Sequence, residues 1–154
     1  MPSKAAMAKK SIRAFIDNCS CLENPAKGPI IYPVVIPLFE MLLMNIITNA
    51  IKYNASTKPR VDISFAQEAD SLFIRFRDNG IGILKEERKQ IFRKFYRGRG
   101  DDRIPVSGSG IGLYLVQQIA RLHRGKVVAD SEGEDKGSVF TLILPFDKRE
   151  GNEQ

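Results

Sequence analysis

Asn45, Asn49 and Lys52 lie at i, i+4 and i+7 of one segment, so on a helix they line a single stripe. Paired amide oxygens there are suitable ligands for Mg²⁺, and an ammonium one turn on would meet phosphate charge. The surroundings, Leu-Leu-Met-Asn-Ile-Ile-Thr-Asn-Ala, are apolar, and asparagines buried among them need partners. A face that merely touches solvent is the competing reading. A second group is Asp78-Asn-Gly-Ile-Gly-Ile83. Leu72, Ile74, Phe76 and Asp78 alternate and so share one strand face. Three apolar side chains aim at a core and the fourth in line is a carboxylate, which is costly there unless something pairs with it. Gly80 and Gly82 remove side chains where the backbone would approach a ligand or take positive φ. A plain Asp-Asn-Gly turn ending a strand is the competing reading. A third group, Gly108-Ser-Gly-Ile-Gly-Leu113, opens a helix, and backbone N–H groups at such a start can hold phosphate oxygens.

These groups need a scaffold that brings a helix stripe, a strand end and a helix start together. Residues 38–53 predict a helix, with Pro37 in the favoured first-turn position and Phe39, Leu43, Ile46, Ile47 and Ala50 on its apolar side. Residues 61–65 and 72–77 alternate and predict a hairpin turning through Gln67-Glu-Ala-Asp70. Residues 84–96 carry Ile91, Phe92 and Phe95 among charges and predict a short amphipathic helix. Residues 97–109 read as a mobile polar loop. The following helix runs to about His123, burying Leu113, Val116, Ile119 and Ala120. Residues 126–130 and 138–144 predict two further strands linked by a Gly133/Gly137 turn. Upstream, residues 8–22 predict a helix with Ile12, Phe15, Ile16 and Cys19 on one side. Residues 30–36 predict an edge strand, because Pro33 cannot donate to a ladder. There is no internal repeat and no low-complexity segment.

The length suits one domain with a real core. No apolar run reaches a membrane span, since Pro33, Pro37, Glu40, Asn45 and Asn49 break the longest, so no membrane insertion is expected. No secretory signal is visible. Cys19, Cys21 and the single His123 exclude a disulfide framework and argue against a Cys/His metal site. A reducing, cytoplasmic setting is expected. The formal charge is +6, but the basic residues are scattered, the densest group being Arg88, Lys89, Arg93, Lys94, Arg97, Arg99 and Arg103. That cluster matches no nucleic-acid module, and beside a glycine-rich loop it suits a polyphosphate.

Residues 108–130 approach a dinucleotide-binding fingerprint, with glycines opening a helix, then a strand, then Asp130. The third glycine comes one residue too early and the preceding segment is polar loop, so both context requirements fail. Neither glycine run leads into Gly-Lys-Ser/Thr, which excludes a Walker-type loop.

Taken in order, the motifs resemble a known family. Asn45-Ile-Ile-Thr-Asn-Ala-Ile-Lys-Tyr53 resembles the N box of the histidine-kinase ATP-binding domain, and Asp78-Asn-Gly-Ile-Gly82 its first glycine box. Ile91-Phe-Arg-Lys-Phe-Tyr-Arg97 resembles its phenylalanine box, Gly108-Ser-Gly-Ile-Gly-Leu113 its second glycine box, and Phe140-Thr-Leu-Ile-Leu-Pro145 its last strand. The spacing is family-like over roughly residues 38–145. The chain is thereby similar to the ATP-binding catalytic domain of two-component sensor kinases, in the wider superfamily that includes gyrase and the mismatch-repair ATPases.

The resemblance implies the Bergerat ATP-binding fold, a two-layer α/β (α+β) sandwich whose mixed, mostly antiparallel sheet backs about three helices. It implies that Asp78 accepts a hydrogen bond from the adenine amino group, while Gly80, Gly82 and Ile83 lie against the base. Asn49 would bind Mg²⁺ with Asn45 beside it. Lys52 and Arg97 would meet the phosphates and Tyr53 would lie along the nucleotide. Phe92 and Phe95 would anchor a lid, hinged at Gly108, Gly110 and Gly112, with Ser109, Ile111 and Leu113 completing the ATP-binding set. Asn45, Asn49, Lys52 and Arg97 would form the catalytic group, with ATP and Mg²⁺ as cofactors.

Hydrolytic branches of the superfamily resemble one another in a glutamate one turn before the Mg²⁺ asparagine. Here that position is Asn45, and an amide cannot act as a general base. Transfer of the γ-phosphoryl group is therefore favoured over hydrolysis, driven by positioning and charge neutralisation. Such a kinase needs a phosphoacceptor histidine on a helical dimerisation domain. His123 does not match that motif and suits helix-end packing. The expected organisation is a linker or the end of a preceding element at 1–29, an ATP-binding domain at 30–146 and a flexible tail at 147–154. The chain is expected to be a monomeric fragment of a larger, membrane-anchored or soluble kinase, with a stand-alone module acting on a separate acceptor as the alternative. Its expected partners are the histidine-bearing dimerisation domain and a response regulator, with no nucleic acid. A nucleotide-binding regulatory module without transfer activity and a basic nucleic-acid binder are the alternatives.

Overall fold

The computed structural model describes residues 23–24, 28–29, 32–98 and 108–146. The predicted helix at 8–22 and the tail lie outside these residues. Two short strands, β1 (Glu23–Asn24) and β2 (Gly28–Pro29), pair with each other. Helix α1 (Ile36–Lys52) follows, with a proline in its first turn and a lysine in its last, where the helix dipole favours a cation. Residues 32–35 are irregular and Ile36 opens α1, so the edge strand expected at 30–36 does not form within the described residues. Strands β3 (Val61–Glu68) and β4 (Ser71–Asp78) form the hairpin, turning at Ala69 with positive φ. Helix α2 (Gly112–Leu122), β5 (Lys126–Asp130) and β6 (Val139–Pro145) complete the order.

The sheet runs β3-β4-β6-β5 and every pairing is antiparallel. A mixed, mostly antiparallel sheet was the expectation. Strand β5 does run the same way as β4, but β6 lies between them, so no parallel ladder forms among the described residues. Alternation sets the layers. Leu72, Ile74 and Phe76 of β4 and Phe140, Leu142 and Leu144 of β6 are all buried on one face, registered as Phe76↔Phe140, Ile74↔Leu142 and Leu72↔Leu144. Against this face pack Leu42, Leu43 and Ile46 of α1 and Val116, Ile119 and Ala120 of α2. Burial of each large aliphatic or aromatic side chain contributes roughly 1.5–3 kcal/mol, so this layer holds α1 and α2 against the strand ends.

A third helix was expected at 84–96. The segment instead forms successive i→i+3 turns with one 3₁₀ turn at Gln90–Phe92. Tertiary anchors override the local pattern. Arg88 reaches back to Asp130, Phe92 enters the core edge-on to Phe140 with centroids 6.3 Å apart, and Phe95 takes φ 65°. No continuous helix satisfies all three. Among the described residues no helix is long and apolar enough to cross a membrane.

Candidate nucleotide site

The carboxylate aimed at the core finds its partners inside the protein. Asp78 is 8% exposed at the end of β4. Its Oδ1 accepts the Gly80 N–H at 2.8 Å and the Ser138 N–H at 3.1 Å, and its Oδ2 accepts the Ser138 hydroxyl at 2.6 Å. Charge-assisted hydrogen bonds of this kind hold a buried carboxylate in one orientation. The loop behind it is tied down as well. The buried Asn54 donates to Asn79 Oδ1 at 2.8 Å, and Asn79 Nδ2 donates to the Lys58 carbonyl at 3.1 Å.

The first glycine pair serves backbone packing. A Cβ at Gly80 would overlap the Tyr53 carbonyl oxygen, and the neighbouring Ile81 N–H donates to that same carbonyl at 3.1 Å. Gly82 has φ +77°, and a Cβ there would overlap the Gly133 carbonyl. The end of α1 and the β5–β6 turn thereby grip the Asp78–Ile83 segment from two sides. The glycines of the second box make room for the α1 stripe. Gly108 sits against the Lys52 ammonium, and a Cβ on Gly112 would lie 2.7 Å from Asn45 Oδ1. The other end of that amide, Asn45 Nδ2, donates to Met41 O at 2.8 Å within α1.

These elements surround one cavity of about 430 Å³, within the range of small-molecule sites. Of the sequence-predicted residues, Asn45, Asn49, Lys52, Tyr53, Asp78, Gly82, Ile83, Arg97, Gly108, Ser109, Gly110, Gly112 and Leu113 line it. Gly80, Phe92, Phe95 and Ile111 do not. Ile111 caps the start of α2. Phe92 is a core residue, whereas Phe95 is 64% exposed. Phe95 is tied to the second glycine box through its backbone, whose N–H donates to the Gly110 carbonyl at 2.9 Å.

The lining also includes residues that sequence reasoning missed: Met44, Thr48, Ile81, Glu87, Ile91, Tyr96, Ser138 and Phe140. Met44 and Thr48 adjoin the predicted stripe on α1. Ser138 carried a readable signal, because the alternation Leu144, Leu142, Phe140 extends back onto it as it extends forward onto Asp78.

Charge is divided along the cavity. Desolvation by burial, and then the Arg97 guanidinium, push the Lys52 ammonium below its ordinary lysine pKa. Two cations at one wall, with backbone N–H groups of the α2 start nearby, suit a multiply charged anion. The apolar part of the lining, Ile81, Ile83, Ile91, Leu113 and Phe140, together with the Asp78 carboxylate, suits a planar heterocycle that donates a hydrogen bond. Among the described residues no three His, Cys, Asp or Glu side chains cluster to hold a metal ion. Asn45, Thr48 and Asn49 are the α1 residues with side-chain oxygens in the cavity lining.

Comparison with known proteins agrees with this geometry. Sensor histidine kinase RppB of Synechocystis sp. is 38% identical over 105 residues, a match covering 68% of this chain and 23% of RppB. Sensor histidine kinase WalK of Bacillus subtilis is 35% identical over 106 residues, covering 68% of this chain and 17% of WalK. The chain therefore spans less than a quarter of the length of these relatives. Among solved structures, the mycobacterial sensor histidine kinase MprB superposes with a TM-score of 0.62 at 26% identity, covering 71% of this chain and 70% of that one. The pattern described as "Histidine kinase-, DNA gyrase B-, and HSP90-like ATPase" matches residues 35–148, and the chain belongs to that family.

Proposed function

We propose that this chain is the ATP-binding catalytic domain of a sensor histidine kinase, passing the γ-phosphoryl group to a histidine on a separate dimerisation domain, from which a response regulator would take it. The observation that carries this reading is one cavity lined by the Ser138-braced Asp78 carboxylate, apolar side chains, and the Lys52 and Arg97 cations. Residues 30–146 would be the functional unit.

Asp78, with its Oδ1 committed to Gly80 and Ser138, would accept the adenine amino proton on Oδ2, while Gly82 and Ile83 lie against the base. Tyr53 would lie along the nucleotide. Lys52, Arg97 and the N–H groups of the Gly108–Gly112 loop would neutralise and align the phosphates. Asn49, with Asn45 beside it, would hold Mg²⁺, which when bound supplies further neutralisation of phosphate charge. Asn45 occupies the place where a carboxylate would activate water, and an amide cannot take that proton. The site would therefore align and neutralise the transferring group and leave the nucleophile to the acceptor domain.

Calorimetric titration with a non-hydrolysable ATP analogue, with and without Mg²⁺, tests the nucleotide half of the proposal. Saturable binding that Asp78→Ala abolishes is the expected result. No binding by the folded wild type would overturn it. Transfer of labelled phosphate from ATP to an added histidine-bearing dimerisation domain tests the kinase half. Binding without transfer to any such domain would leave a regulatory nucleotide module.

A further inference from the structure

Ser131 belongs to none of the motifs above and does not line the cavity, yet it is 6% exposed and its hydroxyl sits where both walls of the base end meet. Its Oγ accepts the Ile83 N–H at 3.1 Å and the Gly133 N–H at 3.2 Å. It donates to the Gly137 carbonyl at 2.7 Å, with the Gly133 carbonyl at 3.1 Å as the second-nearest acceptor. A serine hydroxyl has one proton and two lone pairs, so this one is saturated by backbone and has nothing left for a ligand.

The groups it joins are the ones that frame Asp78. Ile83 ends the Asp78–Ile83 segment, and Gly137 precedes Ser138, which holds the Asp78 carboxylate. Gly137 also donates its N–H to the Gly80 carbonyl at 3.0 Å. Ser131 is itself pinned by its own backbone. Its N–H donates to Asp130 Oδ1 at 2.8 Å, its carbonyl accepts from the Arg88 guanidinium, and Arg88 pairs with Asp130 at 2.6 Å. The chain of contacts therefore runs from Arg88 through Ser131 to the two segments whose spacing sets the distance between Asp78 and the Ile83 wall.

We propose that Ser131 is a positioning residue for base recognition: it fixes the separation between the Asp78–Ser138 pair and the Gly82–Ile83 wall, and so sets the preference for adenine over a purine with an acceptor at the same edge. The inference rests on the nucleotide-binding reading of this cavity. A hydroxyl that served stability alone would affect all nucleotides equally, whereas one that sets the spacing affects the choice between bases, because discrimination depends on a hydrogen bond being made at the right distance.

The test is the ratio of affinities for non-hydrolysable ATP and GTP analogues, measured by calorimetry on the whole chain. For Ser131→Ala the ATP-analogue affinity is expected to fall about tenfold and the ratio to fall with it, since Ile83, Gly133 and Gly137 lose their shared partner. Ser131→Thr keeps a hydroxyl on the same carbon and is expected to restore the ratio. Should Ser131→Ala not fold, Ser131→Cys replaces the hydroxyl by a weak donor and acceptor and is expected to move the ratio in the same direction. A folded Ser131→Ala or Ser131→Cys with the wild-type ratio overturns the inference. Asp78→Asn measured alongside separates the two readings. If it leaves binding unchanged, the assignment of the base end itself is wrong; if it abolishes binding while Ser131 variants keep the ratio, only the role given to Ser131 fails.

Discussion

Asp78 and Ser138, 60 residues apart in sequence, make three hydrogen bonds to each other. The Asp78 N–H donates to the Ser138 carbonyl at 2.9 Å, the Ser138 N–H returns to Asp78 Oδ1 at 3.1 Å, and the Ser138 hydroxyl donates to Oδ2 at 2.6 Å. The one backbone bond extends the β4–β6 pairing past Arg77↔Val139, and the two bonds to the Asp78 carboxylate fix that side chain in the lining of the cavity. Removing the hydroxyl leaves the carboxylate buried with one donor fewer. Ser138→Ala should cost about 1–3 kcal/mol in urea-denaturation stability and weaken binding of an ATP analogue in the same variant.

Lys52 supplies a pH signature. Its pKa is lowered in the folded protein, so the charged ammonium opposes folding at neutral pH, and that cost falls away as pH rises from the lowered value to the ordinary lysine value. A bound polyphosphate reverses the shift. Nucleotide binding should therefore take up a proton on the alkaline side, between the lowered pKa and the ordinary lysine value. Calorimetry in buffers of different ionisation enthalpy measures this uptake, and Lys52→Met should abolish it while reducing affinity about ten- to hundredfold.

The two phenylalanines of one motif should behave oppositely. Phe92 packs edge-on against Phe140 in the core, and Phe92→Ala should cost about 3–5 kcal/mol. Phe95 presents its ring to solvent, and Phe95→Ala should change stability by no more than about 0.5 kcal/mol. Equal losses in denaturant titrations would contradict the placement of both rings.

Gly82 combines a left-handed backbone with contact against the Gly133 carbonyl. Gly82→Ala should destabilise by about 2 kcal/mol or more and lower nucleotide affinity together with stability. A Gly82→Ala protein with the wild-type melting temperature would show that this grip on the wall does not exist.

Much of the molecule was legible along the chain because its determinants are local. The alternation of β4 pointed Asp78 at the core, the i, i+4, i+7 spacing put Asn45, Asn49 and Lys52 on one stripe, and Pro37 marked the start of α1. Elements set by periodicity, α1, α2 and the two hairpins, formed close to where they were expected. The misreadings have a common origin. The turns at 84–96 replaced a helix because Arg88, Phe92 and Phe95 each answer to a different distant anchor. Phe92 and Phe95 were expected to act together, but Phe92 enters the core while Phe95 meets Gly110 through its backbone N–H.

Sequence alone determined which face of their element the candidate site residues occupy, since side-chain direction follows from helical and strand periods. Only the tertiary structure decided what those residues meet. Ser138 braces Asp78, Ser131 joins the cavity walls, Arg97 bears on Lys52, and the glycines yield to carbonyls from other segments. Each of these depends on chain segments brought together by burial of the β4–β6 face under α1 and α2, a non-directional force that leaves no mark on the spacing of the residues it assembles.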